Sequence, residues 1–298
     1  MKGKTVKRKT VKKTRQALDT LSSLEIARII NREDKRVAGA VEKALPQIAL
    51  AIDAIAEALN QGGRLIYVGA GTSGRLAALD AAECPPTFNS EPSAVQFVMA
   101  GGTRALAGAV ESSEDSRTLG RRDLAKLRPG RKDVVVGIAA SGNTVYTLAA
   151  VEYARERGAR TVAVVCVPDS ELGRMAEIEI AVNTGEEVLR GSTRMKAGTA
   201  QKMVLNMLTT GAMARMGRVY GDLMVNVQIG NFKLAERGLA ILEEAAGADR
   251  QTAARALRAA GNEVPVALIM LKTGLSPTRA RQRLKSTKGN VRAAIGKA

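Results

Sequence analysis

GAGTSGRLAALDAAECPPTF, residues 69–88, follows the apolar run Leu65-Ile66-Tyr67-Val68. The run reads as a buried strand. The glycines Gly69, Gly71 and Gly74, the hydroxyls of Thr72 and Ser73, and the start of an amphipathic helix come next. A strand that ends in a glycine-rich turn and opens a helix gathers backbone N–H groups and the positive end of the helix dipole at one spot. That spot suits an anion. No Lys follows the glycines, which excludes a Walker-type nucleotide loop. Glu83 stands just before Pro85-Pro86, a pair expected to stop the helix.

Working outward, strand and helix patterns alternate. Strands are expected at 64–69, 94–99, 133–138, 161–167 and 177–183. Helices are expected at 74–83, 104–115, 143–157, 171–175 and 195–216. Alternation of this kind predicts an α/β fold, a three-layer αβα sandwich around a parallel sheet. Ligands of such sheets sit beyond the carboxyl ends of the strands. Residues 17–60 read as helical, with a start near Asp19-Thr20-Leu21-Ser22 and an interruption at Pro46. Residues 246–298 read as a small domain of three short helices: Arg250–Ala260, Val264–Thr273 and Ser276–Lys285. The expected organisation is therefore a basic arm (1–16), a main domain (17–245) and this helical domain.

AASGNT, residues 139–144, is a second candidate phosphate loop at a strand end. Ser141, Asn143 and Thr144 flank its glycine and open the next helix. Capping of that helix by Ser141 or Asn143 is the structural alternative. RGSTRMKAGTAQK, residues 190–202, is a third element: Ser192 or Thr193 can cap a helix that carries Lys196 and Thr199. Glu111, Glu114 and Asp115 lie three and four apart on the expected 104–115 helix, so they share a face. Clustered carboxylates can keep one of their number protonated near neutrality. A solvated acidic face is the competing reading.

Composition narrows the chemistry. The 298 residues include no His, which removes the commonest general base and metal ligand. Acid–base work must then fall to carboxylates, Lys, Tyr or Cys. Aromatics make up only 2%, so the core must be Ala, Val, Leu, Ile and Met. Cys84 and Cys166 give neither a disulfide framework nor a metal spacing, and Cys84 reads as a small buried residue. No membrane span and no secretory signal are evident, so a cytoplasmic location is expected. Net charge is +17, and residues 1–15 hold eight Lys or Arg and no acid. Such an arm could bind nucleic acid, but without interleaved aromatics or a base-reading motif nucleic acid is not the expected partner, and a solubility bias is the simpler account. A positive field would also draw anionic sugar phosphates.

The 69–88 string resembles the sugar-phosphate isomerase (SIS) fold and, more narrowly, the N-acetylmuramic acid 6-phosphate etherase family. Four further segments agree in order: AGGTRALAGAVESSED (100–115), DVVVGIAASGNT (133–144), EEVLRGSTRMKAGTAQKMVLNML (186–208) and LMVNVQIGNFKLAERG (223–238). The resemblance runs from about Leu21 to the C-terminus. It departs from the family pattern at Asn143, Val145, Glu186 and Arg190. It implies that Gly71, Thr72, Ser73, Ser141, Asn143 and Thr144 hold the phosphate of a phosphosugar, with Ser192 and Lys196 lining the sugar site. It also implies acid–base roles for Glu83 and Glu114, no cofactor, and a homodimer. A non-enzymatic phosphosugar sensor would keep Ser73, Ser141 and Thr144 but have no need of Glu83. An unbroken helix rises about 1.5 Å per residue, so it would carry Glu83 roughly 15 Å from Ser73, farther than a hexose phosphate spans. Either Glu83 serves the site of a partner chain, or Pro85-Pro86 ends the helix and the chain folds back.

Overall fold

The computed structural model describes residues 17–108, 113–227 and 229–296. The basic arm of residues 1–16 and Glu111 lie outside them. The sheet has five parallel strands: β1 (Leu65–Gly69), β2 (Val95–Met99), β3 (Val134–Ala139), β4 (Arg160–Val165) and β5 (Ile178–Ala181). Their order is β2-β1-β3-β4-β5. The helices before residue 220 are α1 (Ser23–Asp34), α2 (Val37–Glu42), α3 (Leu45–Asn60), α4 (Gly71–Phe88), α5 (Arg117–Ala125), α6 (Val145–Glu156), α7 (Glu171–Met175) and α8 (Lys196–Arg215).

The near-continuous apolar strands follow from burial on both faces. Alternate residues of β1 part company. Leu65 and Tyr67 join Ile48 and Ile55 of α3, Ala77 and Ala81 of α4, and Val204 and Leu208 of α8. Ile66 and Val68 join Leu124 of α5 and Tyr146 and Ala150 of α6. Each fully buried aliphatic chain contributes roughly 1.5–3 kcal/mol relative to exposure. The abundant alanines let helix backbones lie close to the sheet, which compensates for scarce aromatics. The three-layer sandwich is therefore as the alternating pattern predicts.

Local signals set the element ends. Ser22 and Glu25 form a reciprocal capping box at α1. Pro46 sits in the first turn of α3, where its missing N–H costs nothing. Three expectations need correction. First, α4 runs through Pro85 and Pro86 to Phe88. The two prolines leave Ala81 and Ala82 without their usual amide partners. Burial of Cys84 and Phe88 in the same core as Ala77 and Ala81 outweighs that loss. Asn89, in the left-handed region at φ 49°, ends the helix instead. Second, among the described residues of the 104–115 stretch there is no α-helix. Gly102–Leu106 is a short 3-10 turn. Arg75 ties the segment to α4 by donating to the carbonyls of Leu106 (3.2 Å) and Gly108 (2.7 Å). Glu114 and Asp115 lie in a turn, and the face they were expected to share with Glu111 falls partly outside the described residues. Third, α5 was not foreseen, although Ser116 caps it by accepting from Leu119 N–H.

Beyond residue 220 come α9 (Phe232–Ala246), α10 (Arg250–Ala259), α11 (Val264–Thr273), α12 (Pro277–Ser286) and α13 (Val291–Ile295). They enclose a separate apolar cluster that includes Val225, Ile241, Leu257, Ile269, Ala280 and Ala294. The three expected helices are present, joined by the short α13. None of the helices among the described residues is long and apolar enough to cross a membrane.

Candidate active site

β1 and β3 are neighbours at the middle of the sheet, with Gly69 paired to Ile138. The chain leaves β1 for β2 on one side and returns to β3 on the other. This reversal opens a crevice beyond their carboxyl ends. Both candidate phosphate loops border it.

The first loop begins α4 at Gly71, whose φ of +51° favours glycine. Its cap residue, Ala70, has no side-chain acceptor, so the first-turn amides of α4 have no side-chain cap. Thr72 is half-buried and Ser73 is buried. Ser73 Oγ donates to Gln201 Oε1 at 3.0 Å.

In the second loop, Ser141 is exposed and its Oγ accepts from Asn143 N–H at 3.2 Å. Asn143 Oδ1 accepts from Glu171 N–H at 3.3 Å, at the start of α7. The cap residue of α6 is Thr144, and its side chain makes no capping bond. Neither Ser141 nor Asn143 caps α6, so the helix-capping alternative does not hold there.

Glu114 joins the two loops. Its carbonyl accepts from Tyr146 N–H of α6 at 2.9 Å. Its carboxylate lies against the α4 turn: a Cβ on Gly71 would sit 3.1 Å from Glu114 Oε1. Glu83 is placed differently. It is exposed on the unbroken α4, ten residues after Ser73 and so roughly 15 Å farther along the axis. The fold-back alternative is excluded because the helix continues to Phe88.

One turn before Glu83, buried Asp80 accepts from Tyr67 Oη (2.9 Å) and pairs with Thr209 Oγ1 (3.1 Å). Burial raises the Asp80 carboxyl above the ordinary aspartate value against the pull of these hydroxyls. Cys84 is buried as expected. Burial first, and the neighbouring Asp80 charge second, push its thiol up to about 12, which leaves it a poor nucleophile.

The third element reaches the same place by its backbone. A methyl on Gly198 would meet Thr72 Cγ2 at 3.5 Å. The cap of α8 is not Ser192 or Thr193. Met195 occupies that position without a side-chain bond. Buried Glu187 instead accepts from the N–H groups of Lys196 (3.0 Å) and Ala197 (2.9 Å), since a carboxylate suits the positive end of the dipole. Lys196 is buried, with Nζ 3.0 Å from Glu33 Oε2 of α1. It borders a cleft of about 1600 Å³ that Arg32, Arg36, Lys43, Glu186 and Glu187 also line. Ser192 is half-buried in the preceding turn. Among the described residues no group of three or more Cys, Asp or Glu side chains could hold a metal ion.

Sequence reasoning passed over Glu187, Asp80 and Gln201. The signal for Gln201 was available: it is a polar residue on the apolar stripe Ala197, Gln201, Val204 and Leu208.

Comparison with known proteins places these features in a family. Residues 47–155 match the family model for the glucokinase regulatory protein N-terminal SIS domain, and residues 120–211 match the SIS domain. An N-acetylmuramic acid 6-phosphate etherase of Photobacterium profundum is 52% identical over 94% of this chain and 93% of its own. One of Symbiobacterium thermophilum is 57% identical over 87% of this chain and 86% of its own. Among solved structures, a phosphoheptose isomerase of Francisella tularensis shares the fold with a TM-score of 0.51, at 20% identity over 64% of this chain and 98% of its own. With relatives 52% and 57% identical over 94% and 87% of its length, the chain belongs to the N-acetylmuramic acid 6-phosphate etherase family.

Proposed function

We propose that this protein cleaves the C3 lactyl ether of N-acetylmuramic acid 6-phosphate, releasing D-lactate and leaving N-acetylglucosamine 6-phosphate. The observation that carries the reading is the seating of the Glu114 carboxylate on the Gly71 turn, between two loops suited to a phosphate. The amides of the α4 turn, with Gly71, Thr72, Ser73, Ser141, Asn143 and Thr144, hold the phosphate. Ser192 and Lys196 border the sugar.

With the phosphate fixed, the pyranose ring opens to the aldehyde, which acidifies the proton at C2. One glutamate takes that proton. The C3–O bond breaks, and a carboxylic acid gives its proton to the departing lactyl oxygen. Water then adds to the unsaturated aldehyde at C3 and a proton returns to C2. The sum is ether plus water to alcohol plus D-lactate. Nothing in this sequence needs a redox cofactor or a metal. Positioning of the substrate and proton transfer supply the rate.

Glu83 and Glu114 are the two acid–base groups of this reading. The length of α4 separates Glu83 from its own phosphate loop, which supports a homodimer whose sites each draw Glu83 from the neighbouring subunit. A cytoplasmic setting, where phosphosugars are made and consumed, completes the proposal. The test is to incubate the purified protein with N-acetylmuramic acid 6-phosphate and measure D-lactate. Release that is lost in Glu83→Gln and Glu114→Gln supports the reading. A folded protein that releases none, yet binds another phosphosugar tightly, would establish a sensor instead.

A further inference from the structure

Gln201 of α8 and Ser73 of α4 form a buried hydroxyl–amide pair at 3.0 Å. Their relative exposures are 1% and 8%. As arranged, the Ser73 O–H donates to Gln201 Oε1, while Gln201 Nε2 has no acceptor among the described residues. Both halves of this arrangement are unfavourable for a phosphate loop. A serine hydroxyl has one proton to give, so Ser73 cannot also donate to a phosphate oxygen. A buried amide donor without an acceptor carries its full desolvation penalty.

We propose that Gln201 is a positioning residue whose amide turns over when the phosphosugar binds. In the turned state Nε2 donates to Ser73 Oγ, and the Ser73 proton is released toward the phosphate. One rotation gives Nε2 an acceptor, moves Oε1 into the seat that Nε2 held, and converts Ser73 from a donor to Gln201 into a donor to the ligand. Gln201 suits the task because its amide offers an acceptor and donors on one planar group. Its seat, beside Ala197, Ala200 and Val204 on the buried face of α8, admits no water-facing alternative. The inference rests on the reading of Ser73 as a phosphate ligand.

The experiment is a double-mutant cycle with Gln201→Met and Ser73→Ala, read by the binding of N-acetylglucosamine 6-phosphate and of N-acetylglucosamine. Gln201→Met should weaken the phosphorylated ligand roughly three- to tenfold, the range of a single hydrogen bond. It should leave the unphosphorylated ligand unchanged, and it should have no further effect in the Ser73→Ala background. Additive losses, or an undiminished affinity in Gln201→Met, would overturn the role of Gln201 while leaving the phosphate reading intact. Equal binding of both sugars by the wild type would instead overturn the phosphate reading itself. Should Gln201→Met fail to fold, the wild type still decides. The side-chain amide resonances of Gln201 should shift on adding N-acetylglucosamine 6-phosphate and stay in place for Ser73→Ala. Resonances that do not move in the wild type would overturn the proposal.

Discussion

The carboxylate of Glu114 rests against Gly71, so closely that a Cβ on Gly71 would lie 3.1 Å from Glu114 Oε1. The contact brings a candidate acid–base group from a loop after β2 to the turn that begins α4. It is held from the other side by the bond between Glu114 carbonyl and Tyr146 N–H. Glu114 therefore belongs to both phosphate loops at once, and its position depends on glycine at residue 71.

Gly71→Ala should displace that carboxylate. The left-handed backbone alone costs about 1–2 kcal/mol for a residue with a Cβ. Displacement of an acid–base group should add a loss of roughly tenfold or more in kcat. Gly62→Ala separates the two effects. Gly62 also has positive φ, at 75°, but a Cβ there would meet nothing within 4 Å. Urea unfolding should show a similar stability loss in both variants. Lactate assays should show a fall in kcat in Gly71→Ala alone.

Asp133 should govern stability without touching catalysis. At the start of β3 it accepts from Arg64 N (2.9 Å), Nε (3.1 Å) and Nη2 (2.8 Å), and from Gly130 N–H (3.0 Å). Burial pulls its carboxyl upward, but the Arg64 and Gly130 donors outweigh that and hold it below the ordinary aspartate value. The folded chain thus binds this proton less readily than the unfolded chain. The stability contributed is present above the ordinary pKa of about 3.9 and is lost as pH falls through the folded value. Asp133→Asn should cost roughly 2–3 kcal/mol at pH 7. Urea titrations from pH 7 to pH 3 should show the gap from wild type closing below about pH 4. A gap independent of pH would contradict the account, as would a change in kcat/KM.

Subunit sharing predicts complementation. Glu83→Gln protein and Ser73→Ala/Ser141→Ala protein should each be nearly inactive. Mixed under conditions of proven subunit exchange, they should regain about a quarter of wild-type activity, since half of the dimers are mixed and each holds one intact site. No recovery would place Glu83 in the site of its own chain.

The sheet was legible because its strands are buried on both faces and read as unbroken apolar runs, such as Val134 to Ile138. The glycine turn was legible for the same reason: Leu65–Val68 fixes where the strand ends. Helix α5 was hidden by Gly120. A local reading counts that residue against a helix, yet its missing Cβ lets the α6 backbone approach at Tyr146. Pro85-Pro86 misled because propensity is local, while the burial of Cys84 and Phe88 is decided by the whole core. Glu187 and Gln201 were missed because their partners lie nine and 128 residues away. The apolar stripe of α8 marks Gln201 as unusual but not Ser73 as its partner, and nothing near Glu187 marks its pair.

The ether should break on the sugar side, between C3 and oxygen, with the oxygen of water ending on C3. The most direct measurement is turnover of N-acetylmuramic acid 6-phosphate in H2(18)O, with mass analysis of both products. Heavy oxygen is expected at C3 of N-acetylglucosamine 6-phosphate, and none in the hydroxyl of the released D-lactate. Heavy oxygen in that lactate hydroxyl, with none at C3, would mean attack at the lactyl carbon and would contradict cleavage on the sugar side.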